Sequence, residues 1–326
     1  MKLQANTLNQ LMPGFFLAST VTFFAFFISS SFNFPIMLVA LLIGIIFNFI
    51  GKKTLFKVGV DFSAKQVLRF GVALLGFRLS IQHISDLGYF PVGFTIVLVF
   101  FTFFAGIGIS YLFKNKLAIG CLIGGSVAVC GASAALAVST VIPKEKVREK
   151  DILFVILGVT ILSTVAMVIY PLISKIFEMP DVVSGFLMGS TIHDVAQVVG
   201  AGYSISNEAG IMATFVKMIR VATLPLIVIL TSYMFNKSEK GKLKLPWFLI
   251  VFIIAAFVTN IFPFSATTSH FLQQFSTFFL VVAISALGMK TNITELAKVK
   301  LSYIIIIIVT TIGMLGFSLV GISIIF

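Results

Sequence analysis

Apolar residues run through this chain in blocks, and short polar stretches between the blocks carry most of the charge. Eleven blocks stand out, at about 13–30, 34–50, 66–80, 90–113, 117–141, 151–177, 182–203, 209–235, 246–262, 270–288 and 301–325. A helix of roughly 20 apolar residues spans the ~30 Å hydrocarbon core of a bilayer. Runs such as FPIMLVALLIGIIFNFI at 34–50 lack the period-two alternation of barrel strands, so the pattern predicts helices. The predicted fold is an all-α polytopic membrane protein. It forms one transmembrane domain over 1–326, and no loop is long enough to hold a soluble domain.

Two blocks depart from a lipid-facing composition. The block at 117–141 contains GGSVAVCGASAALA, and the block at 182–203 contains GSTIHDVAQVVGAG. Backbone that is not helical is tolerated at membrane depth only where protein buries it or where it lines a cavity. Both blocks are therefore predicted to be re-entrant or broken. Loop charge points the same way. Lys114 and Lys116 fall between two blocks, and Lys144, Lys146, Arg148 and Lys150 follow the next. Both loops belong on the cytoplasmic side by the positive-inside rule. They share a side only if 117–141 enters and leaves on one face. Glu178, Asp181 and Glu208 place 182–203 similarly on the other face. The result is nine crossings with a cytoplasmic N-terminus. The basic stretch 51–65, with Lys52, Lys53, Lys57 and Lys65, reads as a cytoplasmic loop.

An internal repeat accompanies this arrangement. ALLGFRLSI at 73–81 matches SALGMKTNI at 285–293, aligning Gly76 with Gly288 and Arg78 with Lys290. The two copies run in opposite directions in the predicted topology. Inverted repeats with paired broken segments mark many secondary transporters. The halves are expected at 1–143 and 178–326, joined by the helix at 151–177.

Composition then narrows the class. Charged residues make up 10% of the 326, and mean hydropathy is +1.13. The net charge of +12 lies mostly between blocks, so it reads as topology and not as a nucleic-acid surface. Cys121 and Cys130 share one apolar block and form no secreted disulfide framework. His83, His193 and His270 are too far apart in sequence to suggest a metal site, and no cofactor motif or phosphate loop is present. The N-terminal run lacks a small-residue cleavage site and reads as a retained first helix.

Three constellations carry candidate chemistry. In the first, Ser190, Thr191, His193, Asp194 and Gln197 cluster in apolar surroundings. On a continuous helix Ser190, Asp194 and Gln197 share a face, and His193 joins them only if the backbone breaks. Ionisable groups inside a membrane mark pathways and proton relays, so His193 and Asp194 are expected to couple protons or gate. An interfacial surface helix is the bland alternative. The second is Gly125, Ser126, Cys130, Gly131 and Ser133, where a break would expose N–H groups and a half-helix N-terminus to an anion. Close helix packing explains the same small residues. The third is Lys217 and Arg220, sharing one face within block 209–235 and suited to an anion in a cavity. Arg78 and Lys290 make a secondary cationic pair, for which snorkelling to the interface is the competing account. Four cations against one Asp favour an anionic substrate.

RFGVALLGFRLS, GGSVAVCGASAALA, GSTIHDVAQVVGAG and KMIRV, in this order, resemble the YeiH family, whose members carry a sulfate-exporter label. The resemblance covers nearly the whole chain. It implies an inherited inner-membrane secondary transporter of sulfate or a related sulfur-containing anion, similar in outline to bile-acid and arsenite-type carriers with inverted repeats. Asp194 departs from the Glu expected there, keeping the acid on a shorter side chain. The expected activity is alternating-access anion transport in a bacterial cytoplasmic membrane, not enzyme chemistry. The expected partners are a small anion and lipid, while association between copies stays open. The rivals are a membrane-embedded hydrolase, with Ser133 or Cys130 as nucleophile and His193 as base, and an anion channel.

Overall fold

The computed structural model describes residues 2–32, 34, 36–78, 89–235, 247–262, 264–290 and 300–326. Those residues form helices and no strand. In chain order the α-helices are α1 (Lys2–Phe32), α2 (Ile36–Ile46), α3 (Asn48–Gly51), α4 (Thr54–Phe62), α5 (Leu68–Leu75), α6 (Phe90–Leu112), α7 (Leu117–Ala128), α8 (Ala132–Val141), α9 (Glu149–Ile176), α10 (Asp181–Thr191), α11 (Val195–Ile205), α12 (Asn207–Ala222), α13 (Leu224–Met234), α14 (Trp247–Ile261), α15 (Ala266–Lys290) and α16 (Leu301–Ile325). Among the described residues, six stretches are long and apolar enough to cross a membrane: Gln10–Phe32, Phe90–Leu112, Glu149–Ile176, Asn207–Met234, Thr267–Lys290 and Leu301–Ile325. The fourth joins α12 and α13 across a bend at Thr223, where Pro225 opens α13.

Polarity is inverted relative to a water-soluble fold. Phe16, Phe23, Phe27 and Phe101 are exposed, while Thr95, Thr102 and Thr310 are fully buried. Each of these threonines turns its hydroxyl onto the carbonyl four residues back, at 2.7 Å. An interior hydroxyl thereby stays satisfied without water.

The stretch 51–65 is not the loop its lysines suggest. It is helical from Thr54, and a π-helical turn at Ser63–Val67 carries α4 into α5. Lys57 and Lys65 lie exposed while Gly59 and Val60 are buried, so the lysines mark the outer face of an amphipathic helix.

Helices pack as two bundles. α1, α2, α4–α5, α14 and α15 form one; α6 to α13 and α16 form the other. Contact between them is thin, chiefly α11 against α2 and α15, with α12 touching α14. Glycines set the tight crossings in the first bundle. A Cβ on Gly288 would stand 2.4 Å from the Leu41 carbonyl oxygen, and one on Gly76 would stand 2.2 Å from that of Phe252. The two glycines aligned by the repeat thus do the same job, one against α2 and the other against α14. The rest of the repeat, 79–81 and 291–293, lies outside the described residues.

Both small-residue blocks are interrupted helices that double back. Thirteen residues of straight helix cover about 20 Å. Yet a Cβ on Gly125 in α7 would meet Val138 of α8 at 3.0 Å, so α8 returns along α7. Gly185 of α10 and Gly202 of α11 flank the other break. Both pack on the same turn of α12, at Ala209 and its neighbours. The segment 181–205 therefore begins and ends at one end of α12.

Candidate functional site

The tips of the two hairpins meet inside the second bundle. In the first, α7 ends at Ala128 and α8 begins at Ala132. Gly131 between them has φ +60° and ψ −119°, a conformation that only glycine adopts without strain. In the second, α10 ends at Thr191 and α11 begins at Val195, with Ile192 and Asp194 extended. A Cβ on Gly131 would lie 3.7 Å from the Cβ of His193, so the two breaks are in contact.

A break in an α-helix strands carbonyls at one end and N–H groups at the other. The carbonyl ends of α7 and α10 converge on two cations from α12. Lys217 Nζ donates to the carbonyl oxygens of Val129 at 2.6 Å, Ile192 at 2.9 Å, and His193. Arg220 donates from Nε to Ala128 at 2.9 Å, from Nη1 to Gly189 and Ile192 at 3.0 Å each, and from Nη2 to Val127 at 2.8 Å. Both side chains are fully buried. Helix C-termini also carry partial negative charge, so the cations answer the dipoles as well as the lone pairs. Lys217 and Arg220 share the face expected of them, but in this conformation their donors go to backbone.

The N–H ends are treated differently from one another. Asp194 caps α11, accepting from Ala196 N at 3.3 Å, and its own N–H donates to Ser163 Oγ at 3.0 Å. At the N-cap of α8 stands Gly131, which has no side chain to accept, and the Ala134 N–H lies against the Cys130 sulfur. Its first turn also reaches the outside of the fold: Ser133 is exposed, whereas Ala134 and Ala135 are buried. Lys217 and Arg220 against Asp194 leave the junction with one net positive formal charge.

His193 is buried, with Nε2 3.0 Å from Thr311 Oγ1. That hydroxyl also lies 2.7 Å from the Ile307 carbonyl, and the imidazole tautomer sets which of the two it donates to. Nδ1 is buried and makes no hydrogen bond among the described residues. Gln197 repeats this pattern. Its Nε2 donates to Thr164 Oγ1 at 3.3 Å and its Oε1 is buried without a partner.

Other expected site residues serve the packing. Gly125 lets α8 lie on α7. The Ser126 hydroxyl bonds the Leu122 carbonyl and that of Thr191 bonds Leu187, each at 2.5 Å within its own helix. Ser190 reaches Ser318 of α16 at 2.7 Å. Cys130 is buried at the first break. The His193 ring pairs with Thr311, not with Cys130 or Ser133. Lys290 pairs with Asp61 of α4 at 2.5 Å, which ties two helices of the first bundle together. The expected partner in that cationic pair, the Arg78 side chain, lies outside the described residues. Among the described residues no group of three His, Cys, Asp or Glu gathers to hold a metal.

The junction also uses residues that carry no signal in the sequence. Ser163 and Thr164 come from α9. Thr311, Met314 and Ser318 form one face of α16, and Met314 Sδ lies 3.6 Å from Arg220 Nη2. Each is one hydroxyl or thioether in a long apolar run, which ordinary helix packing also produces.

Residues 13–317 match the family described as conserved hypothetical protein 698. The UPF0324 membrane protein TauZ of Paracoccus denitrificans is 38% identical over 320 residues, covering 96% of this chain and 95% of its own. The UPF0324 membrane protein CT0845 of Chlorobaculum tepidum is 37% identical over 311 residues, covering 93% and 87%. The UPF0324 inner membrane protein YeiH of Escherichia coli K12 is 32% identical over 317 residues, covering 90% and 88%. No solved structure matches. With a family match from residue 13 to residue 317 and relatives aligned nearly end to end, the chain belongs to the UPF0324 family of membrane proteins.

Proposed function

We propose that this protein is a secondary active transporter moving a small anion, sulfate or a related sulfur-containing or organic anion, across the bacterial cytoplasmic membrane. The observation that carries this reading is the junction of the two broken hairpins. It has one net positive formal charge and a half-helix N-terminus that begins at glycine and reaches the outside of the fold at Ser133. N–H groups at a helix start bind anions through both hydrogen bonds and the dipole. Discontinuous helices facing each other are a recurrent transporter site. We place nine crossings around it: α1, α2, α4–α5, α6, α9, α12–α13, α14, α15 and α16. The two hairpins enter from opposite faces. The matched packing of Gly76 and Gly288 supports an inverted relation between the halves.

The chemistry of the remaining groups suggests coupling. His193 Nδ1 and Gln197 Oε1 are buried polar atoms with no hydrogen-bond partner among the described residues. Protonation of His193 makes donors of both ring nitrogens and adds a positive charge. An anion arriving with a proton meets a matched site, and it leaves more readily once the proton is lost. Alternating access then follows from movement of one bundle against the other across their thin contact.

Uptake of labelled sulfate and other oxyanions into proteoliposomes, with and without a pH gradient, tests this. Saturable uptake that depends on the gradient is expected. Asp194→Asn and His193→Ala should change its rate or its pH dependence. Normal, gradient-insensitive uptake by both variants would remove these residues from the mechanism. Uptake of no anion by the wild-type protein would refute the reading.

A further inference from the structure

Six backbone carbonyls point at two side-chain cations in the interior, and among the described residues no carboxylate bonds either cation. The ligands of Lys217 Nζ are three neutral oxygens, from Val129, Ile192 and His193, drawn from both breaks. Ile192 is shared, since its oxygen also accepts from Arg220 Nη1. Carbonyl oxygens gathered in this way are the ligand set with which proteins replace the hydration shell of a monovalent cation. Unwound carbonyls and half-helix C-termini supply that ligand set in membrane carriers. Here the enclosed ion is an ammonium, and its butyl stem comes from α12.

We infer that the crossing of the hairpins is a monovalent-cation site with a built-in occupant, the Lys217 ammonium. Its ligand class is a primary ammonium or an alkali ion of similar radius. The hairpin tips are thereby held together without any dissolved ion. An ion that couples transport binds elsewhere, and sodium has no vacancy at this crossing. A merely space-filling Lys217 would predict none of this, because a carbonyl cage and a packing contact respond differently when the tether is cut.

The test is to cut it. Lys217→Ala removes stem and ammonium and leaves the oxygens. Lys217→Met fills the stem volume but supplies no charge. The purified full-length chain is melted in chloride salts of sodium, potassium, ammonium, propylammonium and tetramethylammonium at constant ionic strength. The wild-type midpoint should be the same in all five. Lys217→Ala should melt lower, and its midpoint should climb and saturate with propylammonium, ammonium or potassium, because a ligand that binds only the folded state stabilises it. Tetramethylammonium, which has no N–H, should give no rise. Lys217→Met should melt lower and ignore every salt. The inference is overturned if folded Lys217→Ala responds to no primary ammonium or alkali ion, or if Lys217→Met matches the wild type. Recovery of Lys217→Ala in no salt at all, propylammonium included, overturns it too, as does a wild type that sodium or potassium stabilises over tetramethylammonium. The readout is stability and not flux, so either this inference or the anion-transport reading can fail while the other stands.

Discussion

Arg220→Met isolates the contribution of the carbonyl clamp. Arg220 serves four carbonyls, of Val127, Ala128, Gly189 and Ile192, and among the hydrogen bonds of the described residues Ile192 alone retains a second donor, in Lys217. Three carbonyls therefore lose this donor. An orphaned buried acceptor costs roughly 1–3 kcal/mol, so the gross loss is about 3–9 kcal/mol. Two effects reduce it. Methionine refills most of the volume, and the cost of burying a guanidinium disappears. Broken buried charge networks typically lose about 3–5 kcal/mol, and the net figure should fall there. At roughly 2 °C per kcal/mol for a large domain, the melting midpoint drops by about 6–10 °C. Arg220→Lys keeps the charge, but its single amine cannot span donors aimed at both hairpins, so it should fall between the two. The assay is thermal unfolding of purified protein. Amide exchange at 127–132 and 189–196 should quicken in Arg220→Met before the outer helices respond. A midpoint within about 2 °C of the wild type would sink the argument, since three orphaned carbonyls cannot cost so little.

Gly131→Ala should destabilise by about 1–3 kcal/mol through its backbone conformation, because its Cβ meets no atom closer than 3.7 Å. The control Gly93→Ala, with open space around its Cβ on α6, should be neutral or slightly stabilising in the same melt. Gly288→Leu should wedge α15 from α2 and abolish recovery of folded protein in size-exclusion chromatography, given the 2.4 Å approach to the Leu41 carbonyl. Asp151 holds Arg148 through both carboxylate oxygens, at 2.9 and 3.0 Å, and accepts from Tyr303 Oη at 3.1 Å, which links the start of α9 to α16. Tyr303→Phe should cost about 1 kcal/mol, and Asp151→Ala about 2–3 kcal/mol because the Tyr303 hydroxyl is then buried without its acceptor. Asp194→Asn keeps an N-cap of similar strength on α11, so its midpoint should stay within about 2 °C of the wild type while its transport changes.

Much of this arrangement is legible in the sequence because lipid is an unforgiving solvent. Gly, Ser, His and Asp in an apolar block cannot face hydrocarbon, and both breaks, at 129–131 and 192–194, fall in the blocks where such residues collect. The basic residues, counted as loop markers, misplace 51–65. A lysine on the outer face of an amphipathic helix and a lysine in a loop have the same composition, and only the buried Gly59–Val60 face separates them. The clamp is hidden for a different reason. Every residue has a carbonyl, so no sequence shows which six of them lack partners. Lys217 and Arg220 stand out as charges, but their ligands do not stand out at all. The same holds for Thr311, whose pairing with His193 depends on α16 crossing a segment more than a hundred residues away.

The arrangement gives each kind of helix end its own answer. Both carbonyl ends at the crossing are answered permanently, by cations tethered to one helix. The N–H ends are answered unequally: Asp194 caps α11, and α8 begins at Gly131, which has no side chain to accept. A structure needing only rigidity would gain by capping both, since a cap typically stabilises by about 1 kcal/mol. Glycine at the start of α8 forgoes that gain, beside a junction with one net positive formal charge. On the anion-transport reading proposed above, the start of α8 is where the negative ligand should first be sought.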